Sequence, residues 1–160
     1  MTDVSIIIAC YNSATTIRET LEAIVIQQWD RPWEVILADN GSTDRTVAIF
    51  NEVAAEHPGV VMRVIDASAT KGKAFAMNLT VPQAAGRAIV MADSDDVVAP
   101  GWLAAMGEAL DEAAIVGAVS DYRKLNTDWV LEYRMPDPAS RDRVQDRYVT
   151  GYQPSLPFVS

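Results

Sequence analysis

One cysteine and one histidine in 160 residues remove several chemistries at once. Cys10 alone cannot form an internal disulfide, and its place at the end of an apolar run marks it as a small core residue suited to a reducing cytoplasm. With His57 as the sole imidazole a histidine-rich zinc centre is excluded. A Ser-His-Asp triad would have to recruit that same residue, which belongs to the helix-stopping segment His57-Pro58-Gly59. Basic residues are scarce as well. The 13 Lys and Arg against 22 Asp and Glu leave a formal charge of -9, the wrong sign for a nucleic-acid partner. No apolar run approaches the ~20 residues of a membrane span, and no basic-then-apolar leader opens the chain. Neither the Gly-x-Gly-x-x-Gly fingerprint nor a phosphate loop ending in Gly-Lys-Ser/Thr occurs, which argues against a hydride-transfer enzyme and a P-loop hydrolase.

What is present is the material of a folded domain. Hydrophobic residues make up 49% and charged residues 22%, a balance that supports a packed core. Apolar runs alternate with helical periodicities. Val4 to Cys10 reads as a strand, followed by a helix over Thr15 to Gln28 with Ile17, Leu21 and Ile24 on one face and Ser13 as N-cap. Trp33 to Ala38 is a second strand. Thr43 to Glu56 is a second helix, with Val47, Phe50 and Ala54 inward and Ser42 capping. Val60 to Ile65 is a third strand, Lys73 to Leu79 a short helix, and Pro82 opens a further helical piece ending near Gly86. The continuous apolar run from Ala88 to Ala92 predicts a strand buried on both faces. A helix entered through Pro100-Gly101 turns Trp102, Leu103, Met106 and Leu110 inward, and Ala114 to Val119 reads as a fifth strand. Such alternation predicts an α/β fold, with a mostly parallel sheet and helices on both faces.

Ligands in folds of this kind bind beyond the carboxyl ends of the strands. Three polar clusters fall there: Tyr11-Asn12, Asp39-Asn40-Gly41-Ser42 and Asp93-Ser94-Asp95-Asp96. In extended backbone Asp93 and Asp95 share a side, with Asp96 turned away. Carboxylates that close repel unless a cation intervenes, and a hard divalent ion suits an all-oxygen site that also holds substrate phosphates. The competing reading is a solvated acidic loop that caps the next helix. Asp39 can accept a hydrogen bond from a nucleobase or a ribose hydroxyl, or simply close a turn. Tyr11 can stack on a base or cover the sheet edge. Lys73 follows Gly72 at a helix start, where backbone N–H groups and an ammonium suit phosphates; a solvated lysine is the plainer alternative.

Three segments together resemble the family 2 glycosyltransferases: Ser5 to Asn12, Val35 to Thr46, and Gly72 to Asp96 with Gly72-Lys73, Asn78, Gly86 and Asp93-Ser94-Asp95-Asp96. The resemblance covers roughly residues 3 to 120, with the motifs in the family's order. It implies the GT-A fold, a three-layer α/β/α nucleotide-sugar-binding core over residues 1–120, with residues 121–160 beginning an acceptor-side region. It further implies that Ala9, Cys10 and Tyr11 line the nucleoside pocket and that Asp39 bonds the base, typically uracil. Lys73 would border the nucleotide. Asp93 and Asp95 look like the Asp-x-Asp motif, with Asp95 the closest ligand to Mg2+ or Mn2+ and Asp93 near the ribose or the metal's water shell. Ala9, Asn40 and Met77 depart from the family's usual proline, second aspartate and arginine.

The implied reaction moves a sugar, with inversion, from a nucleoside diphosphate donor, UDP favoured, to a hydroxyl of a glycan, lipid-linked or small-molecule acceptor. The base that deprotonates the acceptor is not assigned; Asp137, Asp142 and Asp146 lie in a polar tract with no matching motif. Two alternatives stand beside it, a nucleotide-sugar-binding module without turnover and a sugar-nucleotide pyrophosphorylase, the latter disfavoured because Asn12-Ser13-Ala14 replaces a glycine-rich loop. Relatives that build polysaccharide leave room for peripheral association at the inner face of the membrane.

Overall fold

A computed structural model describes residues 1–118 of the chain. Met1–Gly107 forms one compact unit, and the sheet lies wholly within it. Its strands are β1 (Val4–Cys10), β2 (Trp33–Asp39), β3 (Val61–Asp66) and β4 (Ala88–Asp93), all parallel, in the order β3-β2-β1-β4. The helices are α1 (Ile17–Val25), α2 (Thr46–Glu56), α3 (Lys73–Thr80) and α4 (Trp102–Glu112), and Pro82 sits in a single 3-10 turn, Val81–Gln83.

Strand order explains the layers. The chain steps from β1 to β2 to β3 in one direction, then crosses back beyond β1 to β4. Right-handed crossovers therefore put α1 and α2 on one face and α3 on the other. α1 and α2 pack on each other, and α3 packs against β1 and β2. Under α3 lies a cluster of Ile7, Ile36, Ala38, Ile65, Ala67 and Ala76, with Ala9 and Met77 against it. The alternate residues Ile6, Ile8, Val35 and Leu37 on the opposite face are fully buried. Both central strands are thus covered twice, which is why β1 and β2 read as unbroken apolar runs.

Several expectations are corrected. β4 is not buried on both faces: Ala88, Val90 and Ala92 are inside, while Met91 is 59% exposed. It is an outer strand in this sheet, and α3 packs against β1 and β2 instead. α1 begins at Ile17, not Thr15, and Ser13 does not cap it with its side chain. Ser42 does not cap α2, which starts at Thr46 and buries Thr46, Phe50 and Val53 in place of Val47 and Ala54. In α4 the inward set ends on Ala109 in place of Leu110. The expected fifth strand shows only one bridged residue, Gly117, and its end at Val119 lies outside the described residues, as does all of 121–160. Among the described residues no helix is long and apolar enough to cross a membrane.

Candidate functional site

Strand register brings the polar clusters to one edge. Cys10 is paired with Asp39 across β1 and β2, and Ala9 with Asp93 across β1 and β4. Because all three strands are parallel, Tyr11, Asp39 and Asp93 leave the sheet at the same carboxyl end. β4 ends at Asp93 and the chain turns at once through Ser94 and Asp95, with the Asp96 amide donating to the Asp93 carbonyl at 3.3 Å. The extended alternation expected for Asp93 and Asp95 therefore stops after its first residue.

The acidic turn is only partly compensated. The Lys73 ammonium, at the start of α3, pairs with Asp93. Asp95 is exposed and has no bonded partner among the described residues. Partial burial, together with the charges of Asp93 and Asp95, pushes the Asp96 carboxyl above the usual carboxylate range. Asp96, expected to stand apart, thus shares the repulsion. Among the described residues no three His, Cys, Asp or Glu side chains are gathered as a metal cage. A turn of three carboxylates with one paired ammonium still fits Mg2+ or Mn2+, ions often held by one or two carboxylates plus substrate phosphates and water.

The loops after β1 and β2 are built differently. Asp39 is 8% exposed, and both its oxygens accept the Ser42 amide, at 3.1 and 3.3 Å. That is the local turn-closing bond weighed against a ligand role. The Cys10 thiol donates to Asp39 at 3.7 Å. Burial and the neighbouring Asp39 charge push it up to about 12, so it is an inert buried thiol behind Asp39. Ala9 faces the core under α3. Tyr11 is 53% exposed, with the Lys71 ammonium 4.2 Å from its ring centroid.

The side chains that hold these loops together were not read in that role from the sequence. Asn12, at a φ of 52°, joins the loops after β1 and β2: its amide donates to Ser42 Oγ at 3.0 Å and its Oδ1 accepts the Thr43 amide at 2.8 Å. Asp44, just before α2, accepts the Thr46 amide and hydroxyl at 2.9 and 2.6 Å, and also accepts the Ala14 amide at 3.0 Å. Those bonds, that to the Thr46 hydroxyl first, hold its carboxyl below the ordinary range. Ser13 Oγ lies 2.8 Å from Ser94 Oγ, and Thr16 Oγ1 donates to the Ser94 carbonyl at 2.9 Å. The residue between the two aspartates is therefore tied to the start of α1. A Ser or Thr before a helix was the only signal, and it pointed to capping.

A family model described as "Glycosyl transferase family 2" matches residues 5–156, nearly the whole chain. The chain belongs to that family. The succinoglycan biosynthesis protein ExoO of Rhizobium meliloti is 34% identical over 126 residues, 79% of this chain and 35% of its own length. A mannosyltransferase from Pyrobaculum calidifontis, solved with GDP-Man and Mn2+, superposes with a TM-score of 0.63 at 29% identity, covering 76% of this chain and 36% of that one. S. aureus TarS solved with UDP superposes at 0.58 with 27% identity, covering 69% and 32%. The fold is thus the GT-A fold that the family resemblance implied. The chain spans between 22% and 35% of the length of the curated relatives it matches.

Proposed function

We propose that this chain carries the donor site of a glycosyltransferase that uses a nucleoside diphosphate sugar, with a UDP-sugar favoured. The observation that carries this reading is the meeting of Tyr11, Asp39 and the Lys73–Asp93 pair at one edge of three adjacent parallel strands. Tyr11 offers an aromatic face for a base, and Asp39 an acceptor for a base N–H. Lys73 supplies a cation beside the diphosphate. Asp95, with Asp93 beside it, would hold Mg2+ or Mn2+, and the cation when bound offsets charge gathering on the leaving diphosphate. The mannosyltransferase solved with GDP-Man and Mn2+ and TarS solved with UDP support this class of donor.

In the transfer, the acceptor oxygen bonds to the anomeric carbon as the bond from that carbon to the β-phosphate oxygen breaks. The acceptor proton passes to a carboxylate base that is not assigned to a residue. Direct displacement of this kind inverts the anomeric carbon. The acceptor is a hydroxyl of a glycan, lipid-linked or small molecule, and the lipid-linked case would bring the protein to a membrane face.

Calorimetric titration with UDP, with and without Mn2+, tests the reading alongside Asp95→Ala. Metal-dependent binding lost in the variant is the expected result. A folded protein that binds none of UDP, GDP or dTDP with metal present would overturn it.

A further inference from the structure

Asp93 and Asp95 are held by different parts of the molecule. Asp93 ends β4 and is fixed by the ladder, where it pairs with Ala9 of β1. Asp95 lies beyond the strand, exposed and bonding nothing among the described residues, so its place is set by the backbone on either side. α1 grips that backbone. At the start of the helix Thr16 Oγ1 donates to the Ser94 carbonyl at 2.9 Å, and Ser13 Oγ lies 2.8 Å from Ser94 Oγ. Thr16 is the N-cap residue, yet its side chain makes no capping bond, and its contact with the Ser13 carbonyl is longer, at 3.4 Å. Its one hydroxyl proton thus goes to a residue 78 positions away. Just past the other end of α1, Gln27 is 5% exposed; its Nε2 donates to the Ala99 carbonyl at 3.1 Å and its Oε1 accepts the Leu103 amide at 3.2 Å. The stretch from Ser94 to Leu103 is pinned near both ends to one helix, which is itself anchored by buried Ile17, Leu21 and Ile24.

We infer that α1 clamps the acidic turn, with Thr16 a positioning residue that holds Asp95 beside Asp93 for the divalent cation. The inference rests on the donor-site reading above and adds to it that the spacing of the two carboxylates is set from outside the turn. Like charges oppose being brought together, and a turn free to move would let them drift apart whenever the cation is absent. A backbone already fixed meets that cost during folding, so less is lost on binding. The hold does not depend on which side chain stands between the aspartates, because Thr16 bonds the backbone carbonyl of residue 94. Ser13 adds a second hold through the Ser94 hydroxyl.

The experiment is UDP affinity of the full chain with Mn2+, for wild type, Thr16→Val, Thr16→Ser and Ser13→Ala. It is paired with backbone NMR order parameters of residues 94–97 in the metal-free proteins. Thr16→Val keeps the shape and removes the donor. Its affinity should fall about tenfold, the size of one hydrogen bond left unmade. Its order parameters should fall across the turn and stay unchanged in the strands. Thr16→Ser returns the hydroxyl and should restore both. Ser13→Ala removes only the bond between side chains, should cost about threefold, and carries the test if Thr16→Val does not fold. Wild-type affinity in a folded Thr16→Val, a turn as rigid as before, or a loss that Thr16→Ser does not reverse would each overturn the clamp while leaving the donor site standing. Wild-type affinity in Ser13→Ala would do the same where Thr16→Val is unfolded. Wild type that binds no nucleotide with metal present would overturn the donor site and the clamp's role with it.

Discussion

The two ends of one sheet treat their carboxylates in opposite ways. At the amino end, Asp3 accepts Arg87 Nε at 2.5 Å and Trp29 Nε1 at 3.0 Å, with Arg31 beside it. Glu34, almost wholly buried, accepts Arg63 Nε at 2.8 Å, Ser5 Oγ at 2.6 Å and the Ala85 amide at 2.8 Å. Burial alone would raise both carboxyls, yet these partners hold them below their ordinary values. At the carboxyl end, Asp93, Asp95 and Asp96 crowd one turn, with Lys73 the cation paired there, and the Asp96 carboxyl is pushed up. Acids with built-in partners are structural; acids left repelling one another are set to bind something positive. The difference lies in who supplies the counter-charge: the protein at one end and, under the proposed function, a cation at the other.

The amino end should break first. Replacing Glu34 with alanine strands Arg63, Ser5 and the Ala85 amide, and should destabilise the fold by about 3 kcal/mol in chemical denaturation, the low end for breaking a buried pair because Arg63 is partly in water. The same pair gives a sign for pH. A carboxyl whose folded pKa is depressed adds stability above its unfolded value and loses it as pH falls through the folded one. Stability should therefore drop below about pH 4.5, the ordinary value for Glu34, and the drop should be shallower in Glu34→Gln. An equal slope in both proteins would mean that this end is not what acid attacks.

Between the two extremes lie the neutral joints of the site loops. Thr46 is fully buried; its hydroxyl accepts the Ser13 amide at 2.8 Å and donates to Asp44. Thr46→Val keeps the shape and removes both bonds, so a loss of about 1.5 kcal/mol is expected by denaturation. No loss would show that the loops at the carboxyl end are held by packing, and that charge alone distinguishes the two ends.

How much of this could be read in advance follows the range of the interactions. β1 and β2 were legible because burial on both faces leaves a local trace, an unbroken apolar run. The run of β4 looked the same and misled, since whether a strand lies inside or outside the sheet is decided by topology. The polar clusters were legible for a related reason: they end strands, and parallel strands end together. What holds them was not. Ser13 reaches Ser94 across 81 positions and Asn40 reaches Gly72 across 32, pairings with no local signature. Ser13 and Ser42 looked like helix caps because capping is the one local use of a serine before a helix, and here distant partners take them.

The smallest effect on stability should come from the residue with the largest part in the proposed function. Asp95 is exposed and bonds nothing among the described residues, so Asp95→Asn removes a repelling charge without breaking a contact. Its melting temperature should stay within about 2 °C of wild type, shifted upward if at all. Metal-dependent UDP binding should nevertheless be lost, because an amide is a much poorer ligand for a hard cation than a carboxylate. The comparison of the two ends requires this separation, with Glu34 costing stability and Asp95 costing binding. If Asp95→Asn instead melted as early as Glu34→Ala, the acidic turn would be a structural element like its counterpart, and the counter-charge at both ends would come from the protein.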